Sequence, residues 1–251
     1  MKAIDEREKI DKSMTFTDHL EELRQRLINS IYSILICIFI SFLIIKPLIS
    51  FLEIPARDIH LLQLAPGEFL FVAIKVAGYT GLIISIPYIF YQIILFITPG
   101  LTTKEKSLIL PAVFGSGLLF FLGLLFSWWI LVPAAISFFI NFGADIVEPS
   151  WSIEKYFDFV LLLMSSTAVA FQLPVLQFIL GSLGIITTEK MISNWKIVVI
   201  SSSILSAIIT PSTDPLTMSL LSISIILLFF IGTGLTYISE NLRSKTLSSF
   251  H

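Results

Sequence analysis

Charge is missing from long stretches of this chain, and that constrains its fold more than any other feature. No Asp, Glu, Lys or Arg lies between Arg26 and Lys46, Lys75 and Lys104, Lys106 and Asp145, Asp158 and Glu189, Lys196 and Asp214, or Asp214 and Glu240. A bilayer span needs about 20 consecutive apolar residues. The gaps therefore predict six spans, near 27–46, 69–97, 107–131, 153–183, 194–210 and 216–238. Lipid offers no partner to backbone N–H and C=O groups, so continuous apolar blocks predict helices. A barrel would need alternating patterning instead. The expected fold is an all-α integral membrane protein in three parts. Residues 1–26 form an inner-face segment, 27–238 a six-helix membrane domain and 239–251 an inner-face tail.

Composition agrees. Of 251 residues, 55% are hydrophobic and 14% charged, against about 45–50% and about 25% in soluble domains. The net charge of −2 gives no electrostatic footprint for nucleic acid. The single cysteine, Cys37, permits no intramolecular disulfide and no metal cluster. No small-residue cleavage site follows the first block, which is expected to be a permanent span rather than a removed signal peptide.

Basic residues set orientation. Lys2, Arg7, Lys9, Lys12, Arg24, Arg26, Lys104, Lys106, Lys190, Lys196, Arg243 and Lys245 fall on one face if there are six spans, against Lys46, Arg57 and Lys155 on the other. Both termini are thus expected on the cytoplasmic or stromal side. The fourth block exceeds a bilayer's thickness and carries Pro174, so it should tilt or kink. The fifth and sixth are short and share the hairpin 210–215.

Three regions hold polar groups that invite a role. In residues 15–27, Phe16, Leu20, Leu23 and Leu27 form a helical apolar stripe. Thr17 or Asp18 is placed to cap that helix, and His19, Glu22 and Arg26 share its other face. This segment reads either as an interfacial anchor or as a docking site that turns into the first span. After the second block, Pro99-Gly100 makes a turn, and Glu105 lies on the same side of the membrane as Glu22. Two such carboxylates can accept guanidinium forks, although Glu105 could equally cap the third span. At membrane depth, Gln172 precedes Pro174 and could pair with a freed carbonyl or another helix. Lys75 and Glu68 begin the second span, with Lys75 expected to snorkel, and Asp214 could cap the sixth helix. His19, His60 and His251 are scattered, and no nucleotide, metal or nucleophile motif is present. A non-enzymatic device without cofactors is expected.

Several of these stretches resemble one family. His19-Leu20-Glu21-Glu22-Leu23-Arg24-Gln25-Arg26 is similar to the HLxELRxR signature that opens TatC proteins, the core subunits of the twin-arginine protein translocase. Ala65 to Phe69, Pro99-Gly100-Leu101 with Glu105, Phe171 to Pro174, and Thr210-Pro211 with Asp214 resemble further family motifs. The likeness runs from about residue 15 to 238. It implies a glove-shaped six-span receptor, with both termini inside, that binds twin-arginine signal peptides and recruits TatA- and TatB-type single-span partners. It also implies homo-oligomers within the complex, and export of folded proteins driven by the proton-motive force. By resemblance, Glu22 and Glu105 would contact the arginines. Phe96, Arg24 and Arg26 would support that surface, and Gln172 and Asp214 would serve assembly or later steps. Many bacterial relatives carry glutamate where Gln172 stands. Glutamine resembles the cyanobacterial and plastid branch, which points to a thylakoid membrane, with a bacterial inner membrane as the alternative. The competing expectation is a secondary transporter for a small solute, built around prolines at mid-span.

Overall fold

The computed structural model describes residues 16–57, 59–97, 109–143, 150–210 and 214–248. The first element, α1 (Phe16–Leu43), is one unbroken helix. The amphipathic segment therefore does not lie flat on the surface and then turn. It is the inner end of the first span, and Leu20 and Leu27 remain exposed on it. Nothing between residues 16 and 43 breaks a helix, because Pro and Gly are both missing from it. Thr17 and Asp18 lie inside the first turn rather than at the capping position, and Asp18 complements the helix dipole there.

On the outer side, α2 (Ile45–Leu52), a single 3₁₀ turn (Ile54–Ala56) and β1 (His60–Leu62) lead to α3 (Glu68–Ile97). The latter returns to the inner face with Pro87 inside it. The third crossing is α4 (Ile109–Phe126), a π turn (Ser127–Leu131) and α5 (Val132–Gly143) in continuous succession. Helix thus runs well past residue 131, the expected end of the third span, and through most of the uncharged stretch up to Asp145. Proline at 133 removes an N–H and crowds the carbonyl four residues back. The widened turn just before it lets the helix continue instead of stopping.

The fourth crossing is split into α6 (Ile153–Ala170) and α7 (Leu173–Ser182). The break falls at Phe171–Gln172, immediately before Pro174, as the sequence suggested. A short α8 (Thr188–Ser193) turns the chain on the inner side. Helix α9 (Trp195–Ile209) follows, and α10 (Pro215–Ser248) completes the sixth crossing. With 15 residues, α9 rises only about 22 Å, well short of the hydrocarbon thickness of about 30 Å. Five of the other apolar stretches are long enough to span, from Thr17–Leu43 to Pro215–Glu240.

Most of the core lies in the outer half of the bundle. Val72 and Val76 of α3, Leu131 and Val132 at the π turn, Phe157, Val160 and Leu161 of α6, and Leu221 and Ile225 of α10 pack together there. The outer loops close over this core. Strand β1 pairs in parallel with β2 (Ser150–Ser152), aligning His60 with Ser150. Buried Tyr156 donates its hydroxyl to the Leu52 carbonyl at 2.6 Å.

Helix α1 stands apart from this core and packs chiefly on α3. The two run antiparallel, because Arg26 meets Gln92 while Ile38 meets Gly81. Their backbones touch at the second point. A Cβ on Gly81 would lie 2.5 Å from both the Cα and the N of Ile38, so a larger residue must push the helices apart. One turn earlier, a Cβ on Gly78 would meet nothing within 4 Å. Replacing Gly81 by alanine should therefore lower thermal stability in nanodiscs by about 1–3 kcal/mol. Gly78→Ala should be neutral or stabilising, by up to about 1 kcal/mol from reduced backbone freedom. Equal unfolding midpoints for the two variants would contradict the close crossing.

Candidate functional site

At the inner ends of α1 and α3, five polar side chains and the ring of Phe96 meet. Positions 19, 22 and 26 are spaced by three and four residues, which stacks them on one helix face. Arg26 donates to Glu22 Oε1 twice, from Nε at 2.9 Å and from Nη2 at 2.5 Å. Its remaining terminal nitrogen, Nη1, donates to Gln92 Oε1 of α3 at 3.1 Å. Gln92 is only 7% exposed, and its amide nitrogen donates to the Tyr88 hydroxyl at 2.6 Å. These two residues are one turn apart on α3.

The other carboxylate oxygen of Glu22, Oε2, is buried and accepts no hydrogen bond among the described residues. His19 Nδ1 lies 3.8 Å from it. The His19 ring stacks on Phe96 of α3, with centroids 4.3 Å apart and planes 14° from parallel. This end of the bundle thus holds a carboxylate with one unbonded oxygen, an aromatic face covered by the His19 ring and a fixed cation. A carboxylate beside an aromatic face can receive a guanidinium by charge-assisted bonds and stacking together.

Glu22, Arg26 and Phe96 are therefore brought together. Arg24 is not, because it points away, exposed and bonded to Glu21 at 3.0 Å. Glu105 lies outside the described residues, as do Pro99 and Gly100. Sequence reasoning missed Gln92 and Tyr88. The signal was a glutamine inside an uncharged block, the same signal that singled out Gln172.

Gln172 and Asp214 lie elsewhere. At the break between α6 and α7, Gln172 donates from Nε2 to the Ser116 carbonyl of α4 at 3.2 Å, and its buried Oε1 is left without a partner among the described residues. It joins two helices, one of the alternatives the sequence left open. Asp214, 2% exposed, caps α10: Oδ1 accepts the Thr217 N–H at 2.6 Å, and Oδ2 accepts the Thr217 hydroxyl.

The outer side holds a second polar cluster. Rather than snorkelling, Lys75 of α3 donates to Glu154 Oε1 at 2.7 Å and to Asp158 Oδ1 at 2.8 Å, both on α6. Glu154 and Asp158 are spaced i, i+4, so one ammonium reaches both. Glu68 is fully engaged as well. Its Oε1 accepts the Ser152 hydroxyl at 2.6 Å and the Glu154 N–H at 3.3 Å. Its Oε2 accepts the N–H groups of Leu64 at 2.6 Å and Ala65 at 3.1 Å. Among the described residues, no group of three or more His, Cys, Asp and Glu is placed to hold a metal ion.

The family profile described as Sec-independent protein translocase protein (TatC) matches residues 18–224. The Sec-independent protein translocase protein TatC of Synechocystis is 50% identical over 224 residues, covering 89% of this chain and 88% of that protein. The chloroplastic TATC of Arabidopsis thaliana is 48% identical over 88% of this chain and 66% of its own length. A crystal structure of the twin-arginine translocase receptor TatC superposes with a TM-score of 0.77 at 36% identity, covering 88% of this chain and 99% of the other.

Lys75→Met would strand two like charges side by side on α6. The cluster is about one-third exposed, so the loss should be on the order of 1 kcal/mol in thermal unfolding. Adding Asp158→Asn should restore most of it. A neutral Lys75→Met would mean that the ion pairs do not help hold α3 to α6.

Proposed function

The chain belongs to the TatC family of Sec-independent protein translocase proteins, and from that premise we propose that Glu22 is the centre of its twin-arginine signal-peptide site. The chain is a multi-pass membrane protein whose relatives come from a chloroplast and a cyanobacterium, which fits a thylakoid or bacterial inner membrane. Its role is that of the receptor subunit of the twin-arginine translocase. The observation that carries the site is the unbonded oxygen of Glu22, whose other oxygen is held by Arg26, next to a His19 ring that stacks on Phe96.

In this reading, a signal arginine displaces the His19 ring, donates to Oε2 and stacks on Phe96. Glu105, on the same side of the membrane, receives the second guanidinium. Arginine is preferred to lysine because only the planar fork can stack and donate at once. Arg24, exposed and paired with Glu21, meets the peptide or lipid headgroups at the edge of the surface. Gln172 and Asp214 hold helix positions needed in assembly with TatA- and TatB-type single-span partners and further copies of this chain. The chain itself makes and breaks no covalent bonds. The small-solute reading gains nothing from the site, since Gln172 donates its amide to the Ser116 carbonyl instead of facing a ligand.

The test is binding of a twin-arginine signal peptide to the chain in nanodiscs, beside a twin-lysine peptide. Glu22→Gln and Glu105→Gln should each weaken the arginine peptide about tenfold or more, because a charge-assisted bond contributes about 1.5–3 kcal/mol. They should barely move the lysine peptide. Unchanged affinity in both variants would refute the site.

A further inference from the structure

Arg26 bonds Glu22 in an unusual way for a guanidinium and a carboxylate. A free pair prefers two parallel bonds, one to each oxygen. Here both Nε and Nη2 converge on Oε1, and Oε2 is left over. Gln92 accounts for this. Arginine has donors and no acceptor, so the group facing Nη1 must be the glutamine's oxygen. The Tyr88 hydroxyl accepts from the amide nitrogen and so fixes which way the amide points. Burial at 7% exposure leaves Gln92 few other positions. Its oxygen holds Nη1 3.1 Å away, on the α3 side of the guanidinium.

We propose that Gln92, oriented by Tyr88, is a positioning residue that keeps Arg26 on one oxygen of Glu22 and so leaves the other oxygen for an incoming guanidinium. Without it, the Arg26 fork turns and takes both oxygens, and the receptor pairs with its own arginine. Gln92 touches no peptide and acts only through Arg26. The inference rests on the receptor reading above. It adds that the second oxygen of Glu22 is kept unbonded by a neutral side chain on a different helix from the one that carries the carboxylate.

The experiment is a double-mutant cycle on the full chain in nanodiscs, read as affinity for a twin-arginine signal peptide. Gln92→Leu keeps the volume and removes the acceptor, and should weaken binding about five- to tenfold. Tyr88→Phe should act in the same direction and less strongly. In an Arg26→Met background there is no fork to hold, so Gln92→Leu should change affinity by less than twofold. An unchanged affinity for Gln92→Leu alone overturns the proposal. So does an equal loss in both backgrounds, which would mark Gln92 as a packing residue. If the unmodified chain fails to prefer arginine over lysine and ignores Glu22→Gln, the receptor site itself is refuted. If that preference holds and only the Gln92 coupling is missing, this inference alone falls.

Discussion

The proposed recognition face is built on one close backbone crossing, between Gly81 of α3 and Ile38 of α1. Helix α1 has no large share in the buried core and lies largely exposed along its length. Its position is set by packing on α3, and glycine lets the two backbones meet. From that crossing, α3 runs eleven residues, about 16 Å, to Gln92. Over the same distance α1 runs back to Arg26. The geometry of the Glu22–Arg26–Gln92 chain is therefore a downstream result of a contact at mid-membrane.

The rest of the molecule divides along its length. Toward the outer face, large apolar side chains, the paired strands, the saturated Glu68 carboxylate and the Lys75 ion pairs fix the bundle. Toward the inner face, the contacts between α1 and α3 are polar and leave one acceptor open. A closely packed outer half and a polar inner half suit a receptor that must hold its shape while a charged peptide docks from the side of its termini. The short α9 and the broken α6–α7 crossing add irregularity at membrane depth, where Gln172 supplies a hydrogen bond across to α4.

Much of this was legible in the sequence, for identifiable reasons. Charge gaps located all six crossings, because placing a charge in lipid is costly wherever it falls. The helical spacing of His19, Glu22 and Arg26 placed them on one face, and Pro174 marked the break in the fourth crossing. Other features were hidden. An apolar stripe at residues 16–27 reads the same whether the helix lies on the membrane or continues into it, and only the unbroken backbone decides. The expected third span ends at residue 131, because the π turn that carries the helix past Pro133 has no sequence signature. The partners of Lys75 and Arg26 lie 79 and 66 residues away, and no local pattern encodes such pairings. The resemblance to the family named Glu22, Arg26 and Phe96, but not Gln92, to which Arg26 donates.

The most direct test of this account is the ratio of twin-arginine to twin-lysine peptide affinity in Gly81→Leu, measured in nanodiscs beside wild type and Gly78→Leu, with helicity checked by circular dichroism. The account predicts that Gly81→Leu loses most of the preference for arginine while remaining helical and inserted, although residue 81 is about 16 Å from the site. Gly78→Leu should keep the preference. A full arginine preference in Gly81→Leu would contradict the claim that the α1–α3 crossing sets the recognition face.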